Sequence, residues 1–202
     1  MSSTDGRIGV LGGTFDPIHV GHLAAATTAI ECARLDRVLF MPSGQPPHRP
    51  SAAASAEYRL EMTRLATSDD ARFAVSDLEL RRPGVSFTSD TLFDLHALDP
   101  GAELFLVLGW DAARLFSTWH EPEKVRQLAT IVVVARPGSG SPGPADLEAA
   151  GLDGGRVIVC LDRTPDVSAS GIREDVKDGR SILGKVSPAV ERYIATHHLY
   201  AE

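Results

Sequence analysis

The chain has 202 residues, 43% hydrophobic and 23% charged, with 20 basic against 27 acidic side chains for a formal charge of −7. This composition is globular and suits one sizeable core, and it lacks the broad basic face that a nucleic-acid partner would require. No stretch approaches the length of a membrane span, and the opening MSSTDGR has no apolar signal core, so a soluble, cytoplasmic protein with no membrane partner is expected. The two cysteines, Cys32 and Cys160, stand far apart in apolar company, which predicts buried small side chains rather than a disulfide framework or a CxxC metal site. A homo-oligomer is compatible with the sequence, but no feature of it fixes the assembly.

In chain order, strand-like apolar runs fall at Arg7–Leu11, Arg37–Met41, Phe73–Leu78, Glu103–Leu108, Thr130–Ala135 and Arg156–Leu161. Several are apolar without alternation, as strands covered on both faces must be. Helical patterns lie between and after them: His19–Ala33, Ala56–Thr67, Ser86–Leu98, a stretch over Asp111–Leu128, then Ser170–Lys177 and Pro188–His197. Alternation of this kind builds βαβ units. The predicted fold is therefore α/β, a Rossmann-like open and mostly parallel sheet with helices on both faces, in one domain over 1–202. Pro42–Ser55 and Pro137–Gly155, rich in Pro, Gly, Ser and Ala, interrupt the pattern and read as surface loops. The first carries His48 and Arg49 among its prolines, the make-up of a working lid, whereas the second holds no such chemistry.

Residues 12–22 read GGTFDPIHVGH and follow the first strand. In an open α/β sheet, ligands sit beyond the carboxyl ends of the strands, and the first βα turn is the usual phosphate site. Gly12 and Gly13 in that turn let main-chain N–H groups approach an anion, and the following helix adds about half a positive charge. A tight turn alone would also ask for glycine. No GxGxxG occurs at this turn and no GK[ST] follows it, which argues against redox dinucleotide binding and P-loop chemistry. His19 and His22, three apart, share one helix face near its positive end, an arrangement suited to gripping a polyphosphate. A metal site would need a third ligand that no HExxH or cysteine pattern supplies, so no protein-held metal is predicted. Gly21 between the histidines costs a helix about 1 kcal/mol against alanine, the mark of a close approach. Asp16, directly before Pro17, reads as a brace for the loop.

GGTFDPIHVGH resembles the signature of the nucleotidylyltransferase superfamily, and its GGTFDPIHxGH form is similar to that of bacterial nicotinate-mononucleotide adenylyltransferases. The likeness continues through Pro46–Arg49, Arg82–Leu92, Gly109–Asp111, Thr118–His120, Ala135–Gly138, Val167–Arg173 and the terminal Leu199–Tyr200. It implies adenylyl transfer from ATP to nicotinate mononucleotide, giving deamido-NAD and pyrophosphate, with Mg2+ carried by the ATP and pyrophosphate. It implies His19, His22 and Arg173 as the catalytic set, and Gly12, Gly13, Thr14, Phe15, Gly109, Asp111, Arg136, Ser168, Ser170, Ile172 and Arg173 around ATP. Residues from about 165 to 202 would complete that site. The acceptor is assigned Thr14, His48, Arg49, Thr88, Trp119 and His120: Trp119 to stack on the pyridine, Arg49 to reach a phosphate, and main-chain N–H groups near Thr88 and Trp119 to receive the carboxylate. Read without the resemblance, Ser170 is a helix cap, Asp111 another, Arg173 a solvated charge and Trp119 core packing. Trp110 stands where the family pattern has alanine, and Ala169 where serine is common. Alternatives are a related transferase using nicotinamide mononucleotide or phosphopantetheine, and a module that senses ATP without turning it over.

Overall fold

Six strands run parallel in a single sheet among the described residues, which in the computed structural model are 6–45, 52–135, 142–154, 156–161 and 165–201. They are β1 (Arg7–Gly13), β2 (Arg37–Pro42), β3 (Phe73–Val75), β4 (Glu103–Gly109), β5 (Thr130–Ala135) and β6 (Val157–Leu161), in spatial order β3-β2-β1-β4-β5-β6. Helices α1 (Val20–Ala33), α2 (Ala56–Thr67), α3 (Leu78–Arg81), α4 (Thr88–Leu98), α5 (Trp110–Ala113), α6 (Pro122–Leu128), α7 (Pro144–Ala149), α8 (Ala169–Lys177) and α9 (Pro188–Thr196) fill the connections. The expected α/β class and open sheet are what the chain forms. Two cores explain the unbroken apolar strands. On β5, Val132 and Val134 pack into the layer that holds Ile30, Ile172 and Ile194, while Ile131 and Val133 pack into the other with Leu92, Phe116 and Val125. β4 divides the same way, Phe105 and Val107 to the first and Leu104, Leu106 and Leu108 to the second. Each side chain so buried contributes about 1.5–3 kcal/mol, and neither strand has a solvent face on which polar residues would be tolerated.

β5 and α2 match their expected limits residue for residue. Elsewhere local chemistry intervened. The helix expected over Asp111–Leu128 breaks into α5, a 3-10 turn at Phe116–Thr118 and α6. Pro122, with no N–H and a fixed φ, can open a helix but not continue one, and Glu121 before it turns left-handed at φ 49. Within the expected loop 137–155, Pro144 starts α7 and Asp146 accepts from the Gly143 N–H at 2.8 Å. β3 stops at Val75 because Ser76 caps the next turn, its hydroxyl accepting from the Leu78 N–H at 3.2 Å. No helix among the described residues is long and apolar enough to cross a membrane.

The reading of the cysteines as unpaired core residues is overturned: Cys32 and Cys160 are joined in a disulfide. α1 packs on β6, bringing together two positions 128 residues apart in sequence, a meeting that spacing alone could not reveal. Closing so long a loop restricts the unfolded chain, so reduction by a small dithiol is expected to lower stability by about 2–4 kcal/mol. A urea-unfolding midpoint that stays the same with and without reductant would show that the bridge contributes nothing.

Candidate active site

The strand order reverses between β1 and β4: the chain leaves β1 for one side of the sheet and β4 for the other, which opens a crevice at their carboxyl ends. A cleft of about 540 Å³ occupies that place. It is lined by Gly12, Gly13, Thr14, Phe15, Asp16, His19 and His22 from the first turn, Gly109 and Asp111 after β4, and Ser168, Ser170 and Arg173 from the start of α8. Three stretches far apart in sequence therefore meet in one volume.

The turn is shaped by packing. A Cβ on Gly13 would lie 2.7 Å from the Phe15 ring, so glycine is required by close approach, whereas one on Gly12 would meet nothing within 4 Å and points into open space. Phe15 itself is left-handed at φ 49, which costs a non-glycine residue about 1–2 kcal/mol. Its ring is 2% exposed and meets His22 edge-on at 5.0 Å and Phe40 at 5.9 Å. Burial worth about 1.5–3 kcal/mol plus those ring contacts outweighs the backbone cost, and the turn is held. Phe15 thus shapes the turn through its core-facing ring.

His19 precedes α1 in extended conformation, and its main-chain N–H donates to His22 Nδ1 at 3.2 Å. The imidazoles stack with centroids 3.7 Å apart. Because His22 Nδ1 accepts, the neutral ring carries its proton on Nε2, which makes that nitrogen a donor. Gly21 is part of this arrangement: a Cβ there would come within 3.0 Å of His19 Nδ1 and 3.1 Å of its Cε1.

On the facing side, Ser168 and not Ser170 caps α8, its hydroxyl accepting from the Gly171 N–H at 3.1 Å. Ser170 is exposed at the cleft, 3.2 Å from the Ser168 hydroxyl. Ile172, expected near ATP, is 1% exposed in the core and holds α8 against the sheet. Arg173 is no solvated charge, because its Nη1 donates to the Asp16 carbonyl at 2.7 Å. Asp111 does not cap α5 either; Gly109 holds that position, and the Asp111 side chain stands exposed at the rim. Trp110 packs on the core beneath α5 and is absent from the cleft lining, so the substitution at that position leaves the wall free.

The acceptor residues divide. Phe87, just before Thr88 at the start of α4, places its ring 4.1 Å from that of His120. Trp119 is half-buried against Phe116 at 5.5 Å. These groups neighbour one another but do not line the cleft. The Trp119 N–H expected to receive a carboxylate donates instead to the Phe116 carbonyl at 3.0 Å, since it ends a 3-10 turn. Behind them Glu79 is buried, accepts from the Thr91 hydroxyl at 2.8 Å, and burial pushes its carboxyl pKa up. His48, Arg49 and Arg136 lie outside the described residues.

A Cytidylyltransferase-like family model matches residues 10–175. A protein of Thermus thermophilus named "Probable nicotinate-nucleotide adenylyltransferase" is 48% identical over 96% of this chain and 99% of its own length. The chain belongs to the nicotinate-nucleotide adenylyltransferase family. A second member, from a Synechococcus species and similarly named, is 41% identical over 97% of this chain and 95% of its own. The fold is shared with Plasmodium falciparum nicotinic acid mononucleotide adenylyltransferase complexed with NaAD, at TM-score 0.80 and 17% identity, covering 96% of this chain and 97% of that one.

Two residues at the cleft's foundation had no site role in the sequence reading: Arg59, which it did not single out, and Tyr200, which entered only as part of the terminal likeness. Arg59 is 3% exposed, and its Nη1 donates to the Thr14 carbonyl at 2.7 Å and the Ser43 carbonyl at 2.8 Å. The signal existed: Arg59 shares the inward stripe of α2 with Met62, Thr63 and Thr67, where an arginine is out of place unless paired. Asp16, expected as a brace, is one. Its carboxylate accepts from the Ala53 and Ala54 N–H groups at 2.6 and 3.1 Å and from the Tyr200 hydroxyl at 2.7 Å. Tyr200 is the second residue missed, since nothing in a C-terminal tyrosine indicates a partner 184 residues away.

Gly21→Ala is expected to keep or raise the melting temperature, alanine being the better helix former by about 1 kcal/mol, while lowering kcat by displacing the His19 ring. Wild-type turnover in that variant would show that the ring's position is immaterial.

Proposed function

We propose that the chain transfers the adenylyl group of ATP to nicotinate mononucleotide, forming deamido-NAD and pyrophosphate. The observation that carries this reading is the convergence of the glycine turn, His19, His22, Ser170 and Arg173 on one cleft beyond the carboxyl ends of β1 and β4. The names of the relatives support it, as does the nucleotide product named for the Plasmodium structure.

An oxygen of the mononucleotide phosphate attacks the α-phosphorus, and the bond from that phosphorus to the β-phosphate oxygen breaks with its electron pair leaving on pyrophosphate. The nucleophile is already an anion, so the work is alignment and charge stabilisation rather than proton abstraction. His22 donates from Nε2 and Arg173 supplies fixed positive charge, with His19, Thr14 and the turn's N–H groups holding further phosphate oxygens. Gly109 and Asp111 serve the adenosine, Asp111 accepting from ribose hydroxyls, and Arg136 is assigned to the same nucleoside by the family resemblance. Thr88, Trp119 and His120 serve the pyridine, the carboxylate being received by the first-turn N–H groups of α4. Arg49 and His48 serve the acceptor's phosphate.

Mg2+ carried by the phosphates of ATP would supply charge neutralisation there, beside His22 and Arg173. Among the described residues that line the cleft, Asp16 commits its oxygens to N–H and O–H donors and Asp111 stands exposed, which supports an ion held by the nucleotide rather than by a cage of side chains. The C-terminal stretch from about 165 completes the ATP site as part of the same domain.

Pyrophosphate release with nicotinate mononucleotide is expected to exceed that with nicotinamide mononucleotide in kcat/KM. Equal values, or a preference for the amide, would reverse the acceptor assignment, and ATP binding without release for any acceptor would identify a sensor. His22→Ala is expected to lower kcat by about 10²–10³-fold with unchanged circular dichroism. A normal rate would remove the imidazole from the reaction.

A further inference from the structure

The C-terminus reaches back to the phosphate turn. After α9 ends at Thr196, the chain reverses through two left-handed residues, His198 at φ 50 and Tyr200 at φ 66, a conformation that non-glycine residues adopt only under constraint. Leu199 and Tyr200 pack on the core layer beneath α1, α8 and α9. The Tyr200 hydroxyl then donates to Asp16 Oδ1 at 2.7 Å. Asp16 is 5% exposed, and the groups around it come from three separate stretches of the chain. Its Oδ2 accepts from the Ala53 N–H and lies 4.0 Å from Arg173 Nη1, its Oδ1 also accepts from the Ala54 N–H, and its carbonyl accepts from Arg173.

From this geometry we infer that Tyr200 is a positioning residue, acting through Asp16 to hold the phosphate turn and Arg173 in register with the backbone at Ala53 and Ala54. The inference rests on the cleft being the ATP phosphate site. The chemistry explains why a phenol is used. Burial and the neighbouring Asp16 raise its pKa above the ordinary value, so it stays a neutral donor, and a buried carboxylate needs donors. Without the hydroxyl, Oδ1 retains one N–H partner where it had two donors, and the Asp16 peptide, which also receives Arg173, loses its fixed orientation. Phosphate-binding N–H groups two residues away would then be misaligned, a fault felt in the transition state more than in folding.

An anchor for the C-terminus alone makes the opposite prediction: stability falls and turnover does not. The test compares wild type with Tyr200→Phe, which keeps the ring and its packing, in steady-state adenylyl transfer, thermal unfolding and calorimetric binding of a non-hydrolysable ATP analogue. The expected result is a fall in kcat of about tenfold with the melting temperature within about 3 °C of wild type. In an Asp16→Asn background, the same substitution is expected to change kcat by less than about twofold, as coupled residues do. A Tyr200→Phe enzyme within twofold of wild type, or a loss that disappears when assayed well below its melting temperature, overturns the proposal. Equal losses in both backgrounds overturn the route through Asp16. If Asp16→Asn does not fold, the single variant decides. If wild type binds the analogue but forms no dinucleotide with nicotinate mononucleotide, the acceptor reading falls. The Tyr200→Phe effect is then read from the analogue's Kd, and a ratio under two sinks it.

Discussion

The reversal of strand order between β1 and β4 is the constraint from which the site follows. Parallel strands must be joined by crossovers, and crossovers from adjacent strands normally crowd the same edge. Only where they leave for opposite faces does the carboxyl edge stay open. Here the opening has the first glycine turn on one side and Gly109 on the other, while α8 returns from the far side of the chain to supply Ser170 and Arg173. The continuous apolar strands make this possible, because a sheet buried on both faces has no other place to admit a polar ligand.

Within the cleft the phosphate turn owes little to secondary structure. Phe15 pins it from the core, Arg59 holds its carbonyl, and Asp16 ties it to the segment at Ala53 and to the chain's end. Each of these contacts spends a buried or strained group, which a sequence retains only where position matters. The turn is preorganised by many weak constraints, so its N–H groups need little rearrangement when an anion enters.

Much of the fold was legible because hydrophobic periodicity is local. The run Thr130–Ala135 and the pattern Ala56–Thr67 can each be only one thing, and they were. The phosphate residues were legible for a different reason, since GGTFDPIHVGH concentrates its chemistry in eleven adjacent positions. What escaped was pairing over distance: Cys32 with Cys160, Tyr200 with Asp16, Arg59 with two carbonyls. Composition carries no information about which residues become neighbours through packing. Caps were confused for a related reason. Ser168 and Ser170 are equally good by type, and only the backbone at residue 168 decides between them.

The burial of Arg59 has a consequence for what the protein ignores. The chain carries a formal charge of −7, yet its proposed ligands are polyanions. A guanidinium beneath the surface polarises the Thr14 peptide at the cleft without adding basic area to the exterior. A long polyanion meets a chain of net formal charge −7, while a nucleotide small enough to enter the cleft meets Arg173 and a turn whose Thr14 peptide is polarised from beneath. Charge at a distance and charge at contact are thereby set by different groups, the net charge by the whole chain and the contact by Arg173 and the turn that Arg59 holds.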